Sequence, residues 1–543
     1  MKRLLYLLFA ILLGTNAAIA QLKSNEHDKD IDIELLRKLQ IAQLAITQLY
    51  VDSVDQNKLV EDAINGMLEK LDPHSSYSNA QQTKKLNEPL EGNFEGIGVQ
   101  FNMLEDTLVV IQTISKGPSE KAGIVAGDRF VTCDDVTIAG VKMERDSIMR
   151  MLRGPKGTKV KLGVKRNGNK DLIYFTLKRD KIPVNTLGAS YMITPKTGYI
   201  ELDRFGATSG KEVKEAIAQL QRQGMQNLIL DLTANGGGYL GAAFEVADQF
   251  LEKNDLVVYT EGRTTPRQVF HAEGGGLFTQ GKLAILVSEY SASAAEIVAG
   301  AIQDHDRGTI IGRRTFGKGL VQQQISFPDG SLIRLTIARY YTPSGRCIQK
   351  PYDMGDGEGY ENDLVERYKH GEYFSQDSIH HEGPAYHTRI GRTVYGGGGI
   401  TPDIFVAEDT TDMTSYYKQA SMTGLILQFA YTYTDDNRIK LNNFKEMMQL
   451  SDYLVKQNTV ELFANYADKK GLKRRNLMIR KSHSLLERYI NARIIYNMLD
   501  EQALNEYLNQ DDPVVMRAIE VLNKGEAFPK LTKEQAHGKA KKK

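Results

Sequence analysis

Cysteine is almost absent from this chain, which has 2 in 543 residues. So low a count excludes a scaffold held by disulfides and a metal site built from several cysteines. Cys133 and Cys347 could pair, but two buried thiols are the interpretation we favour. An excess of one charge is also missing, because the net charge of +1 argues against nucleic-acid binding as the main function. With 41% hydrophobic and 25% charged residues, the composition is typical of a globular protein of about three or four domains.

Long hydrophobic runs are lacking beyond the N-terminus, since no later segment reaches the roughly 18 consecutive apolar residues of a membrane helix. At the start of the chain, two basic residues precede the apolar run Leu4–Leu13, and Ala18–Ala20 has the small-residue spacing of a cleavage site. We interpret residues 1–20 as a cleaved secretory signal, with a retained N-terminal anchor as the alternative. Gln21, and not a cysteine, follows the expected cleavage point, which disfavours lipid attachment. We therefore expect an exported, periplasmic protein that is soluble or loosely membrane-associated.

The spacing of apolar residues changes several times along the chain. Helical spacing from Asp30 to Lys85, and again from Thr411 to Leu522, predicts helical regions at both ends. Short β-rich runs fill Gly92–Lys181, and strands alternate with helices from Gly198 onward, which indicates a layered α/β core. The predicted division is a signal segment (1–20), an N-terminal helical region (21–87), a β-rich domain (88–181), an α/β core (182–410), a C-terminal helical region (411–528) and a basic disordered tail (529–543).

Short apolar runs bounded by turn residues predict individual strands within these regions. The predicted strands are Val109–Ile111, Phe130–Val131, Tyr199–Leu202, Leu228–Leu230, Ala284–Val287 and Thr309–Ile311.

A glycine-rich turn opens the β-rich domain with the residues Gly96, Ile97, Gly98 and Val99. Glycine and apolar residues that alternate before a strand can direct backbone N–H groups at a carboxylate, while the strand edge pairs with an extended peptide. Together with the segments 117–124 and 127–130, this turn resembles bacterial PDZ domains, and a generic glycine-rich turn is the alternative. The resemblance implies that the domain binds the apolar C-terminal residues of another protein. The chain's own end, three lysines, would be a poor ligand.

A serine lies where a predicted strand gives way to a predicted helix. Ser293 follows the strand Ala284–Val287 and precedes the helical segment Ala294–Gln303. In an open α/β sheet such a junction exposes the hydroxyl beside the N–H groups of the helix, an arrangement suited to stabilising an anionic intermediate. Because serine alone is a weak nucleophile, it needs a base.

The segment Gly312–Gln322 supplies a candidate base, Lys318. A free lysine has a pKa of about 10.4 and is protonated at neutral pH, but burial and a helix N-terminus both disfavour the ammonium. Phe316 is apolar, the glycines on either side of Lys318 permit close packing, and no adjacent carboxylate stabilises the charge. Gln322 lies four residues further on and could orient either group by hydrogen bonds.

The same segment nearly matches the phosphate-binding loop Gly-x4-Gly-Lys-Ser/Thr, with Leu228–Asp231 as a possible metal-binding strand. However, Gly319 stands where that loop has the hydroxyl that holds Mg²⁺. The acidic strand also precedes the loop, opposite to the usual order, and an exported protein meets little nucleotide. These points disfavour nucleotide hydrolysis.

Five segments together resemble the C-terminal processing peptidases, also called tail-specific proteases, and they are Tyr50–Asp52, Leu71–Tyr77, Ser291–Ile297, Thr315–Gln322 and Tyr340–Arg346. The motifs occur in the family's order and extend to Asp403, over about two thirds of the chain. The resemblance implies a layered α/β core of the crotonase/ClpP-like type with an inserted PDZ domain. It also implies that Ser293 is the nucleophile, Lys318 the base and Gln322 the orienting third member, with no metal and no cofactor.

The segment 231–238 resembles the glycine turn that follows a core strand in that family. A backbone N–H of Gly236 or Gly237, together with that of Ala294, would then form the oxyanion hole, in which each donor typically lowers the barrier by ~3 kcal/mol. The chain departs from the family at Thr233, where an arginine is usual, which leaves open whether a supporting ion pair is absent. A tight loop without a catalytic role is the alternative for this turn.

Other residues fit catalysis less well. The Gly-x-Ser-x-Gly frame of a Ser-His-Asp hydrolase does not occur. His305 lies at a predicted helix end, where a capping or solvated role is expected. His380 and His381 have no paired ligand pattern, and the four glycines 396–399 are not followed by a lysine-bearing helix.

These observations predict an exported serine endopeptidase with a Ser/Lys dyad, which recognises the C-terminal tails of protein substrates through its PDZ domain. The alternative is a catalytically silent PDZ-containing binding or scaffold protein of the cell envelope. The helical ends suit a homodimer or an adaptor, and no nucleic-acid partner is expected. The sequence does not identify the natural substrate, or distinguish tail trimming from full degradation.

Overall fold

The computed structural model describes residues 33–104, 106–381 and 383–524, so the predicted signal segment and basic tail lie outside the described residues. The chain divides into two units, and the boundary in the sequence falls between Leu68 and Glu69. In the first unit, helices α1 (Ile33–Leu49) and α2 (Gln56–Leu68) contact each other. Helix α1 has no buried residue. The helical spacing predicted for this region is confirmed in these two segments.

The second unit starts with a short strand and a helix, and then forms the β-rich domain. Its elements are β1 (Ser76–Ser78), α3 (Ala80–Asn87), β2 (Asn93–Gly96), β3 (Val99–Leu104), β4 (Thr107–Thr113), α4 (Pro118–Ala122), β5 (Arg129–Cys133), β6 (Val136–Thr137), α5 (Arg145–Leu152), β7 (Lys159–Lys165), β8 (Ile173–Lys178) and β9 (Asp180–Pro183). The sheet order is β3-β4-β5-β7-β8, β6 pairs with β5, and β2 pairs with β9. Phe130, Ile148 and Leu162 are fully buried in its core. The strands predicted at 109–111 and 130–131 are confirmed within β4 and β5.

The α/β core follows. Its elements are β10 (Leu187–Met192), β11 (Thr197–Leu202), α6 (Ser209–Arg222), β12 (Asn227–Asp231), α7 (Leu240–Asp248), β13 (Leu256–Glu261), β14 (Gln268–His271), β15 (Lys282–Val287), α8 (Ala294–Asp304), β16 (Thr309–Gly312), β17 (Leu320–Ser326), β18 (Leu332–Tyr341), α9 (Gly357–Lys369), a 3₁₀ turn (Gln376–Ser378), β19 (Ala385–His387), β20 (Thr393–Tyr395) and β21 (Ile404–Phe405). The four strands predicted in this region are confirmed as β11, β12, β15 and β16.

The C-terminal region is helical, as predicted. Its helices are α10 (Ser415–Met422), α11 (Leu425–Leu441), α12 (Met447–Val455), α13 (Thr459–Lys469), α14 (Asn476–Lys481), α15 (His483–Met498), α16 (Glu501–Leu508) and α17 (Pro513–Lys524). Helices α10 to α16 enclose an apolar core of their own, which includes Phe463, Leu486 and Ile490. Of the helices in the described ranges, none has the length and apolar character needed to span a bilayer.

The main sheet of the core has the order β10-β11-β12-β15-β16-β21, and all neighbours from β11 to β21 are parallel. Its strands are apolar on both sides, as expected of a parallel sheet covered on both faces. Leu230 and Ile285 pack in the cluster of α6, α7 and α8, whereas Ile229 and Leu286 pack with Leu522 of α17. Because β12, β15 and β16 run in parallel register, the loops at their carboxyl ends meet at one edge of the sheet. A second sheet has the order β1-β18-β13-β14, with β17 paired to β18.

Candidate active site

Ser293 has a strained backbone conformation at the N-cap of α8. Its φ is 57° and its ψ is −112°, a combination that residues other than glycine rarely adopt and that recurs at functional sites. The preceding turn is fixed by Ser291, whose hydroxyl accepts from the Ser288 N–H at 2.9 Å and donates to the Leu232 carbonyl at 2.7 Å. The fold therefore maintains the strain at the predicted nucleophile.

A cavity of about 400 Å³ lies beside this turn, and the six residues predicted for the catalytic site line it. They are Ser293, Lys318, Gln322, Ala294, Gly236 and Gly237. Apolar side chains such as Leu240 and Ile297 also line the cavity, and Arg334 is its other cationic residue. Among the described residues, no carboxylate lines the cavity and no hydrogen bond joins Ser293 Oγ to Lys318 Nζ. The structure thus brings the predicted nucleophile and the predicted base to one cavity.

In the glycine turn, the N–H groups of Gly236 and Gly237 differ in whether they already have an acceptor. The Gly237 N–H already donates to Asn235 Oδ1 at 2.8 Å, and fully buried Asn235 is held in turn by donating to the Leu202 carbonyl at 2.6 Å. Within the described part of the chain, the N–H groups of Gly236 and Ala294 have no acceptor. Of the two glycines, Gly236 is therefore the one with a free N–H, and the oxyanion hole itself stays a prediction. Gly237 is needed for another reason, because a Cβ at this position would lie 2.8 Å from Ser293 Cβ.

The surroundings of Lys318, the predicted base, change the pKa of its amine. Burial lowers the pKa of the Lys318 amine below its usual range, and the nearby Arg334 cation lowers it further. The carboxylates of Glu296 and Asp72 act in the opposite direction. Because the net change is downward, the neutral amine is favoured relative to a free lysine.

Glu296 joins the backbones of Ser293 and Lys318, and the sequence analysis did not identify it. Its carboxylate is fully buried and accepts N–H groups from Ser293 at 2.8 Å, Gly317 at 2.7 Å and Lys318 at 2.9 Å, and the Thr315 hydroxyl. Burial raises the pKa of Glu296, and these hydrogen bonds oppose that rise. The loop that resembles a phosphate-binding loop thus directs its N–H groups at a protein carboxylate. The Ser-x-x-Glu spacing of a capping box was the available sequence signal.

Thr233, where the family usually has an arginine, lies beside the carboxylate of Asp231. Asp231 is buried, and its carboxylate accepts the Tyr199 hydroxyl at 2.7 Å and the Thr233 N–H at 2.8 Å. Burial raises the pKa of Asp231, while these hydrogen bonds lower it. Neutral donors therefore satisfy this carboxylate at the start of the glycine turn.

The histidines and cysteines considered above lie outside the cavity. His305 Nε2 bonds the Leu256 carbonyl at 2.6 Å, and the His381 ring stacks on Tyr395 with 4.0 Å between centroids. In the described ranges no group of three or more His, Cys, Asp or Glu residues could hold a metal ion. Cys133 and Cys347 are both free thiols, and Cys133 is buried as expected, but Cys347 is only partly buried, which corrects the expectation of two buried thiols.

The β-rich domain has an apolar groove between β3 and α5. Ile97, Gly98 and Val99 line it together with Met149 and Leu152, whereas Gly96 does not line it and pairs with Asp180 in the β2–β9 ladder. The N–H groups of Ile97 and Gly98 have no acceptor within residues 69–524 as described. Free N–H groups beside an apolar groove fit the carboxylate and side chain of a peptide C-terminus.

Comparison with known proteins assigns the family. The model of peptidase family S41 matches residues 196–363, and that of the PDZ domain matches 96–177. The N-terminal domain of the activating protease CtpB matches 5–82, and a family of unknown function matches 416–500. These matches define a serine-type peptidase that carries a PDZ domain.

Curated relatives agree with this class. A carboxy-terminal-processing protease of Bartonella bacilliformis is 35% identical over 64% of this chain and 80% of its own length. The carboxy-terminal processing proteases CtpA and CtpB of Bacillus subtilis are 34% and 32% identical, over 64% and 61% of this chain and 76% and 68% of their own lengths. The chain belongs to the carboxy-terminal processing proteases of peptidase family S41.

Proposed function

We propose that Ser293 and Lys318 form the catalytic dyad of this peptidase, with Gln322 orienting the base. The observation that carries the proposal is the convergence in one cavity of a strained serine, a lysine of lowered pKa and the unpaired N–H groups of Gly236 and Ala294. A serine nucleophile, a neutral amine and two donors for an oxyanion are the parts that acyl transfer requires.

In the proposed mechanism, Ser293 Oγ attacks the peptide carbonyl carbon while Lys318 Nζ takes the hydroxyl proton. The oxyanion that forms accepts the N–H groups of Gly236 and Ala294, at the positive end of α8. The intermediate collapses to an acyl-enzyme when the C–N bond breaks, and Lys318 returns the proton to the leaving amine. Water then attacks the ester with Lys318 again as base, which releases the acid and restores Ser293.

A cleavage assay tests this proposal against a catalytically silent scaffold. The purified chain is incubated with an unstructured protein that ends in apolar residues, with and without a chelator. We expect peptide-bond cleavage that is unchanged by chelation. Binding of the tail without cleavage would favour the scaffold, and loss of cleavage on chelation would contradict the Ser/Lys mechanism.

We propose that the PDZ groove binds the C-terminal tail of the substrate. The free N–H groups of Ile97 and Gly98 would receive the terminal carboxylate, while the tail pairs with the edge of β3. The lining is apolar apart from Arg153, which supports a preference for apolar terminal residues.

A charge placed in this groove should weaken tail binding. We expect Met149→Arg to raise the Kd for a peptide with an apolar C-terminus at least about tenfold, because burying an unpaired cation is costly. Fluorescence anisotropy with a labelled peptide measures the Kd. Val136→Arg, on the exposed hairpin strand β6, is the matched control, and an equal loss of binding in both variants would contradict the assignment.

Export and self-association complete the proposal. Export is supported by the sequence of residues 1–20, and N-terminal sequencing of the secreted protein should begin at Gln21. Self-association through the helical ends is supported by α1, in which Leu39 is 56% exposed and Leu44 61% exposed. Light scattering on chains with and without residues 21–49 tests it, and adaptor binding is the alternative outcome.

A further inference from the structure

Asp72, in the motif Leu71–Tyr77, reaches from its own loop to the strand behind the cavity. Its Oδ1 accepts the Thr336 hydroxyl at 2.9 Å and the N–H groups of His74 and Ser75 at 2.9 and 3.1 Å. Its Oδ2 accepts the Ser75 hydroxyl at 2.6 Å. Burial disfavours the charge, but these hydrogen bonds outweigh it and hold the pKa of Asp72 below its ordinary value. A fixed, charged acceptor therefore faces β18.

Thr336 connects this carboxylate to Gln322. The two residues are partners in the β17–β18 ladder, and Gln322 Nε2 donates to Thr336 Oγ1 at 3.2 Å. A hydroxyl has one proton, and Thr336 uses it on Asp72, so its oxygen is left to accept the amide N–H of Gln322. This order leaves Gln322 Oε1 as the part of the amide that can accept an N–H from the Lys318 amine, which lines the same cavity.

We propose that Asp72 is a positioning residue of the proteolytic site, which acts through Thr336 to orient Gln322 and thereby Lys318. This inference rests on the proposed Ser293–Lys318 dyad and goes beyond it. An amine held by one N–H presents its lone pair in a fixed direction, and small errors in such geometry are costly in rate.

Within the described residues, the groups whose charge interacts with Lys318 come from three parts of the fold. They are Arg334 on β18, Glu296 on α8, and Asp72 and His74 in the loop before β1. Burial and the neighbouring Lys318 charge lower the pKa of His74 to about 4, so its ring is neutral at neutral pH and bonds the Tyr360 hydroxyl through Nε2 at 3.0 Å. The Asp72 charge, in contrast, favours the protonated and inactive form of Lys318. Asp72 thus has two opposing effects on Lys318. It orients the amine through Thr336 and Gln322, but its charge favours the protonated form, and variants can separate the two effects.

Three substitutions make this separation. Thr336→Val removes the hydroxyl link and keeps the charge of Asp72. Asp72→Asn removes the charge and keeps an oxygen that can accept from Thr336, whereas Asp72→Ala removes both. Asp329→Ala is the matched control, because Asp329 makes similar hydrogen bonds to the N–H and hydroxyl of Ser331, in a turn away from the cavity.

The measurements are the pH profile of kcat/KM for a fluorogenic peptide and the rate at which a fluorophosphonate labels Ser293. We expect Thr336→Val to lower kcat about 10- to 100-fold, with KM and the acid limb of the profile unchanged. Asp72→Asn should keep kcat close to wild type and move the acid limb to lower pH by about 0.5 unit or more, since a nearby anion no longer favours the ammonium. Asp72→Ala should show both changes, and Asp329→Ala neither.

Thermal melting monitors the fold of each variant. The proposal is overturned if Thr336→Val and Asp72→Ala both keep the wild-type kcat and the wild-type rate of Ser293 labelling. It is also overturned if the control Asp329→Ala loses as much kcat as they do. Failure of the dyad itself is recognised separately, because Ser293→Ala or Lys318→Met would then retain cleavage.

Discussion

Replacing either member of the dyad should nearly abolish proteolysis. We expect Ser293→Ala and Lys318→Met each to lower kcat/KM by about 10⁴-fold or more, and the double variant to be no worse than the single ones, because groups that act as a unit are not additive. The physical reason is that the serine hydroxyl needs the amine to take its proton, and the amine has no role without the hydroxyl. Hydrolysis of a fluorogenic peptide by each variant measures the effect.

Lys282→Met is the matched control for the lysine. Lys282 is half-buried at the opposite end of β15 from Ser293 and donates to the Leu522 carbonyl at 2.7 Å. The variant Lys282→Met should be less stable than the wild type but should keep the wild-type rate of proteolysis. Wild-type rates in Lys318→Met, or a further large fall in the double variant, would remove the dyad from the mechanism.

Glu296→Gln should damage both activity and stability. In the glutamine variant, an NH₂ group replaces one carboxylate oxygen of Glu296 that now accepts two hydrogen bonds. The two donors lose their acceptor, and each buried donor left unpaired costs about 1–3 kcal/mol. The free energy of unfolding should therefore fall by about 2–6 kcal/mol. Because Glu296 fixes the Ser293 and Lys318 backbones together, we also expect kcat to fall at least about 100-fold. Calorimetry and steady-state kinetics measure the two effects.

Glu201→Gln provides the comparison. Glu201 lies on β11, does not line the cavity, and has its pKa raised to about 8 mainly by burial. The glutamine resembles the protonated form that is present at neutral pH, so stability and activity should change little. Should Glu296→Gln lose stability while kcat stays at the wild-type value, Glu296 would be a structural residue alone.

The sequence predicted the elements whose signal is local. Tyr199–Leu202 and Ala284–Val287 are short apolar runs bounded by turns, and both are strands buried on two faces. Ser293 was identifiable because a strand, a short turn and a helix follow one another around it. Its strained φ of 57° could not be read from the residue type, since serine does not require it.

The second sheet was not predicted, for a physical reason. Strand β17 contains three consecutive glutamines at 322–324, and most of β18 is only half-buried. Strand β17 lacks the alternation of apolar and polar residues that indicates a strand with one buried face, whereas β18 does alternate from Ile333 to Ile337, a local signal that the sequence analysis missed. The strands form because they pair with each other and with β1 and β13, and a single sequence does not reveal that pairing.

The supporting contacts of the site are also long-range. Glu296 bonds backbone groups 21 and 22 residues later in the chain, and Asp72 bonds Thr336 across 264 residues. Periodicity and motif spacing carry no information at such separations. The choice between Gly236 and Gly237 likewise depends on one hydrogen bond that the Gly237 N–H donates to Asn235, which only the folded turn shows.

The pH dependence of Ser293 labelling by a fluorophosphonate tests most directly whether a neutral Lys318 activates the serine. The account predicts that the labelling rate rises with pH along one titration, with a midpoint below the value of about 10.4 for a free lysine, and that Lys318→Met loses this titration. A midpoint at the ordinary lysine value, or the same profile in Lys318→Met, would contradict it.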